Sequence, residues 1–216
     1  MFDFLKTMID FCIHIDKYIG LLISNYGVLV YVILFAIVFC ETGLVVTPFL
    51  PGDSLLFITG AFAAKGSLNI FLVVMIFMLA AISGDITNYT IGRKLGQKIY
   101  NNGKGRMVSN IDKTKAFFVK HGGKTIIIAR FMPIIRTFTP FVAGTGKMKY
   151  SKFILFSVIA GFIWTFLFSF AGFFFGNLPI VEKNFTLIIY LIITISVSPA
   201  VFGLIKAKLK KVKIEE

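Results

Sequence analysis

Four charged residues sit inside apolar stretches that prolines interrupt. Glu41 and Asp53 belong to Glu41-Thr-Gly-Leu-Val-Val-Thr-Pro48-Phe-Leu-Pro51-Gly52-Asp53, and both arginines to Arg130-Phe-Met-Pro133-Ile-Ile-Arg136-Thr-Phe-Thr-Pro140. Charges at bilayer depth are expensive and usually face a cavity, a partner charge or a transport path. An arginine stays charged and presents fixed donors, so it holds a phosphate bidentately even where water is scarce. Six residues turn an unbroken helix by about 600°, which sets Arg130 and Arg136 on different faces. A break near Pro133 would aim both at one cavity, where they suit a lipid phosphate head group. For a carboxyl at such a place desolvation favours the protonated form and a nearby arginine the charged one. Glu41 and Asp53, balanced between those effects, are the candidates for proton coupling. The competing reading is structural: acids and arginines that pair only to make the broken segments tolerable, so that removing one strands a buried charge.

Other candidates are secondary. Asp85 follows Gly84 at the expected cytoplasmic end of a span, where it either joins a proton path or lies at the interface and caps a turn. Tyr89 and Arg93 lie in the same stretch. Gly92/Gly96 and Gly172/Gly176 have the spacing of close helix contacts, and Trp164, in mid-span, is expected to pack. His14 and His121 have no second histidine or carboxylate at ligand spacing, so no metal or cofactor is expected. Cys12 and Cys40 lack a CxxC arrangement and are expected as free thiols. A membrane phosphatase acting on the same lipid would need a nucleophile or metal ligands, and no histidine lies near the arginines. The expectation is therefore a protein that is not an enzyme.

The surroundings of these residues are those of a bilayer. With 57% hydrophobic and 15% charged residues in 216, and a mean hydropathy of +0.87, the chain is too apolar for a soluble domain of its size. Apolar runs near the roughly 20 residues of a spanning helix extend from Gly27 to Thr47, Leu68 to Ser83, Phe153 to Gly176 and Phe185 to Ile205, and the second, which is short, can extend through Ile86 and Ile91. Residues 1–24 have the amphipathic spacing of an interfacial helix. The start Met-Phe-Asp-Phe-Leu-Lys lacks the pattern of a cleaved signal, so the first span is expected to direct insertion. The net charge of +13 is not spread evenly. If each broken segment enters and leaves on one side, 19 of the 23 Lys and Arg residues gather on a single face. The positive-inside rule makes that face cytoplasmic, together with both termini. The basic segments are the loop 93–124, with a short helix expected over 110–121, and the tail 206–216. No recognisable nucleic-acid-binding module accompanies the charge, so nucleic acid is not an expected partner.

Small residues recur at an offset of 80: Ala63 with Ala143, Gly66 with Gly146, Ala80 with Ala160, Gly92 with Gly172, and Gly96 with Gly176. Each half runs proline-broken segment, small-residue exit, spanning helix, GxxxG. Only one span separates the broken segments, so they would enter from opposite faces as re-entrant hairpins over 41–66 and 125–148. Pro48, Pro51 and Gly52 shape the first hairpin, and Pro133 and Pro140 the second. The expected architecture is an all-α, polytopic, single-domain membrane protein. It has inverted repeats, two opposed re-entrant helical hairpins and about four spanning helices.

The ordered set of Glu41, Pro48-Phe-Leu-Pro51-Gly52-Asp53, Gly84-Asp85-x-x-x-Tyr89-x-x-Gly92-Arg93-x-x-Gly96, Arg130-Phe-x-Pro133-x-x-Arg136-Thr-x-x-Pro140-x-x-Ala143-Gly144 and Gly161-x-x-Trp164 through Gly172 to Gly176 resembles the bacterial DedA family over about residues 30 to 180. That family shares its core with the eukaryotic VTT-domain (SNARE-associated Golgi) proteins. The resemblance implies a multi-pass bacterial inner-membrane flippase that returns a lipid phosphate, undecaprenyl phosphate, for cell-wall synthesis, and the titratable acids beside the arginines add the proton motive force as the expected drive. It also implies an essential acid and arginine set, which falls on Glu41, Asp53, Arg130 and Arg136. The alternatives left open are a phospholipid scramblase, as the eukaryotic relatives resemble, and a proton-coupled ion or small-solute transporter. Lipids and protons are the expected partners, and the oligomeric state is open, with a homodimer among the arrangements allowed.

Overall fold

The computed structural model describes residues 15–43, 52–102 and 122–176, with isolated positions between 178 and 194. Every element among the described residues is helical: α1 (Ile15–Tyr26), a short 3-10 turn (Gly27–Leu29), α2 (Val30–Gly43), α3 (Gly52–Ala64), α4 (Ile70–Asn102), α5 (Lys124–Arg130), α6 (Pro133–Thr145) and α7 (Tyr150–Phe175).

Three stretches are long and apolar enough to cross a membrane: Tyr18–Gly43, Ile70–Lys98 and Tyr150–Phe175. The first begins at Tyr18, inside the segment expected as an interfacial helix, and passes through Gly27 at φ +50°, where the apolar run was expected to start. The second takes the extension through Ile86 and Ile91 that the sequence allows and then differs from expectation: α4 continues to Asn102, so the first part of the expected basic loop is helix. The fourth expected span, the helix over 110–121, Pro48, Pro51 and the tail lie outside the described residues, apart from the isolated positions within that span.

Helices α3 and α6 have 13 residues each. At about 1.5 Å per residue each is some 20 Å long, short of the roughly 30 Å hydrocarbon thickness. They survive because they pack within the bundle, α3 on almost every side and α6 on one, with Ile135 and Phe138 exposed. Eleven of the 13 residues of α3 are buried. A peptide group in that setting finds its hydrogen bonds within its own helix or at a well-made end.

Both short helices end in the same way. Beyond α3 the Ser67 N–H donates to Phe62 O at 3.1 Å and the Gly66 N–H to Ala63 O at 3.0 Å. Beyond α6 the Met148 N–H donates to Ala143 O at 3.0 Å and the Lys147 N–H to Gly144 O at 3.0 Å. These are Schellman ends, with Gly66 at φ +79° and Lys147 at φ +54°. Then α4 and α7 begin, the first capped by Asn69, whose Oδ1 accepts from the N–H groups of Phe71 and Leu72. The repeated order is thus short helix, left-handed end, long helix. The structure changes its register: Gly66 corresponds to Lys147, one residue beyond Gly146, while Ile70 and Tyr150 keep the offset of 80.

Each short helix packs on the long helix of the other half, α3 on α7 and α6 on α4. Gly172 lets α7 lie directly on the Phe57 carbonyl, and Gly144 lets α6 lie directly on the Tyr89 carbonyl; a Cβ at either would occupy the space of that oxygen. Gly92, Gly96 and Gly176 line the same crossings, as their GxxxG spacing predicts.

The polarity of α7 is that of a helix among lipids. Its buried face runs Phe153, Ser157, Ala160, Gly161, Trp164, Thr165, Ser169 and Gly172 at helical spacing. Leu155, Phe162, Phe166 and Phe174 are exposed.

Candidate functional site

Five ionisable side chains meet inside this bundle, none more than 6% exposed: Glu41, Asp53, Asp85, Arg130 and Arg136. Helix ends put four of them there, and Asp85 comes from the middle of α4. Glu41 is two residues from the end of α2, Asp53 is in the first turn of α3, Arg130 is the last residue of α5, and Arg136 is in the first turn of α6. An acid at a helix N-terminus and a cation at a C-terminus complement the helix dipole, so Asp53 and Arg130 are each favoured where the chain breaks. Arg136 sits at the opposite end from the one its charge prefers, and two carboxylates compensate it.

The break between α5 and α6 falls at Phe131 and Met132, the latter extended at φ −116°, ψ 103°, with Pro133 opening α6. It falls between the arginines, next to Pro133, where the break was expected. Pro140, expected as a second interruption, instead lies inside α6 and is buried. Having no N–H, it leaves the Arg136 carbonyl without its usual helical donor.

Arg136 bridges the two acids of the first segment. Its Nη1 donates to Asp53 Oδ1 at 2.7 Å, and its Nη2 to Glu41 Oε1. Gly52 makes this possible, because a Cβ there would lie 2.6 Å from Glu41 Oε2 and 2.8 Å from Arg136 Nη2. Asp53 Oδ1 also accepts from Trp164 Nε1 at 2.8 Å. Arg130 does not join this group. Its Nη1 donates to Asp85 Oδ2 at 2.6 Å, and Ser157 Oγ donates to the same oxygen at 2.5 Å. Between the two ion pairs lies Trp164, with the Arg130 and Arg136 guanidinium carbons 5.1 and 5.0 Å from its ring centroid, within cation–π range.

Asp85 is therefore neither interfacial nor a turn cap: it is fully buried in the middle of α4. Trp164 packs as expected but also carries polar contacts that its position in an apolar run does not announce. Asn88, one turn beyond Asp85, donates from Nδ2 to Thr42 O at 3.1 Å and Thr137 O at 2.6 Å, tying α2 and α6 to α4. The signal available for Ser157, Gly161 and Trp164 was their shared helical face of small and polar residues. Tyr89 lies elsewhere, donating to Met148 O at 2.5 Å and stacking on Phe153, a role in packing. Arg93 is exposed. Among the described residues no cluster of His, Cys, Asp or Glu has the makeup of a metal site.

Apolar helices of spanning length enclosing short helices and a buried charge cluster define a polytopic helical membrane protein. Residues 50–174 match the model of the VTT domain. The chain is 51% identical over 210 residues to Protein DedA of Escherichia coli K12, covering 95% of this chain and 96% of that protein. It is 40% identical over 169 residues to an uncharacterized membrane protein of Mycobacterium leprae, covering 77% and 76% of the two chains. It is 31% identical over 183 residues to the inner membrane protein YqjA of Escherichia coli K12, covering 84% and 83%. The chain belongs to the DedA family of VTT-domain membrane proteins. No solved structure matches it.

Proposed function

We propose that this protein is a proton-linked flippase for a lipid phosphate in a bacterial inner membrane, with undecaprenyl phosphate as the substrate the family resemblance favours. The observation that carries the reading is Arg136, buried and held between Glu41 and Asp53. A guanidinium clasped by two carboxylates is a phosphate site occupied by the protein's own anions. A phosphate monoester offers the same bidentate oxygen geometry with more charge. When Glu41 or Asp53 takes a proton it gives up its claim on Arg136, and phosphate takes the place. When phosphate leaves, the carboxylate ionises and returns. Three carboxylates face two guanidiniums in the cluster, so one acid can carry a proton without upsetting neutrality. Each cycle thereby links lipid movement to proton movement.

In this reading α3 and α6, too short to span, are the inner arms of opposed re-entrant hairpins, and the two halves are inverted repeats. Substrate then reaches the charges from either face in turn. Both termini lie in the cytoplasm. The protein moves the lipid intact and is not an enzyme.

The test is movement of undecaprenyl phosphate in proteoliposomes with and without a pH gradient. Wild type is expected to transport faster with the gradient. Arg136→Lys keeps the charge but loses the fork, and Glu41→Gln removes the titrating group, so both should lose about tenfold or more. Unchanged transport in both variants contradicts the reading. Gradient-independent movement would point to a scramblase, and release of inorganic phosphate to a phosphatase.

A further inference from the structure

We propose that Arg130, Asp85 and Ser157 form a second phosphate station, separate from the one at Arg136 and held shut by Asp85. The inference rests on the lipid-phosphate reading above and divides its single site in two.

The two arginines do not share acids. Arg136 takes Glu41 from α2 and Asp53 from α3, whereas Arg130 takes Asp85 from α4, which Ser157 of α7 also holds. The Arg136 pairing engages both terminal nitrogens. At Arg130 the Nε is buried without a partner, and so is Asp85 Oδ1 on the facing carboxylate. A guanidinium 4% exposed with a free donor has capacity for one more acceptor than the protein supplies. Tetrahedral phosphate carries several acceptor oxygens. It can take Nε and a terminal nitrogen together once Asp85 yields, with the Ser157 hydroxyl as a further donor. Both guanidinium carbons lie within 5.1 Å of the Trp164 ring centroid, so the two arginines share one ring and an anion leaving one has the other nearby. An anion that must cross a membrane core is better served by two adjacent moderate sites than by one deep one, because it must also leave.

Trp164 is the only tryptophan in the chain, so its emission reports occupancy at both stations. The full-length protein in nanodiscs of zwitterionic lipid is titrated with phosphatidic acid, and in a parallel arm with inorganic phosphate, following Trp164 fluorescence. Wild type should give two phases in the arm that supplies the true source of phosphate. Arg136→Lys should lose one phase and Arg130→Lys the other, each variant keeping the charge its acid partner needs. Asp85→Asn should tighten the Arg130 phase by about tenfold, because it removes the competing anion. If Asp85→Asn does not fold, the two lysine variants decide alone. A single phase abolished by both lysine variants overturns the second station and leaves the lipid-phosphate reading standing. An Arg130 phase that Asp85→Asn leaves unmoved overturns the gating by Asp85. No response of Trp164 in either arm overturns the second station, and the transport of undecaprenyl phosphate decides the lipid-phosphate reading separately.

Discussion

The two buried arginines have similar exposure and lie at similar distances from the same indole, yet they are held in different ways. Arg136 joins segments 83 and 95 residues away, binding two carboxylates from two helices and so closing the first broken segment onto the second. Arg130 reaches an acid 45 residues away on one helix, and a serine shares the task of holding that acid. Arg136 has both terminal nitrogens engaged and ties α2 and α3 to α6. The other retains a free donor and is lightly held. A buried ion pair stabilises little beyond the desolvation it must offset, but breaking it strands a charge, so the number of partners stranded sets the cost.

The largest effect should therefore follow Arg136→Ala, which leaves Glu41 and Asp53 facing each other with no counterion and costs about 3–5 kcal/mol of stability. Arg130→Ala strands only Asp85, still hydrogen-bonded by Ser157, and should cost less. Thermal unfolding of the purified proteins in detergent compares them, and equal losses would break the distinction. Next, Trp164→Phe keeps an aromatic ring against both guanidiniums but removes the N–H donated to Asp53. It should cost about 2 kcal/mol, the range for a hydrogen bond to a charged group. Smallest is Ser157→Ala, which takes one donor from Asp85 while Arg130 remains, and should cost about 1.5 kcal/mol, the low end of the range for a hydrogen bond to a charged group. A Ser157→Ala loss exceeding that of Trp164→Phe would mean that the Arg130 pair is the more tightly built of the two.

Much of this cluster was legible because charge inside an apolar run has few explanations. Glu41, Asp53, Arg130 and Arg136 stand out by contrast with their neighbours, and Pro133 marks the break between the arginines. Their pairing was not legible: nothing in the spacing says that Arg136 takes both acids and Arg130 neither. Asp85, beside Gly84 after the 68–83 run, reads from sequence as the cytoplasmic end of a span, although that run can extend through Ile86 and Ile91. The helix continues because Gly84 packs against Thr42 and Gly43, and because Asp85 and Asn88 find partners on other elements. Such compensation is tertiary and leaves no periodic trace. Pro140 misled in the opposite direction, since an enclosed helix in a membrane tolerates a proline that would end an exposed one. The repeat at 80 was visible through its glycines, but the one-residue shift at Gly66 and Lys147 depends on a lysine taking the left-handed conformation normally left to glycine.

The central claim is that phosphate displaces a carboxylate from Arg136 and that the displaced acid takes a proton. Proton exchange on binding tests it most directly, by adding a lipid phosphate to the purified protein in weakly buffered detergent and following bulk pH. Wild type should take up protons as the lipid binds, beyond any exchange by the lipid itself. A Glu41→Gln, Asp53→Asn protein should bind with that uptake abolished or much reduced. Binding to wild type with no proton uptake would contradict the exchange on which the account rests.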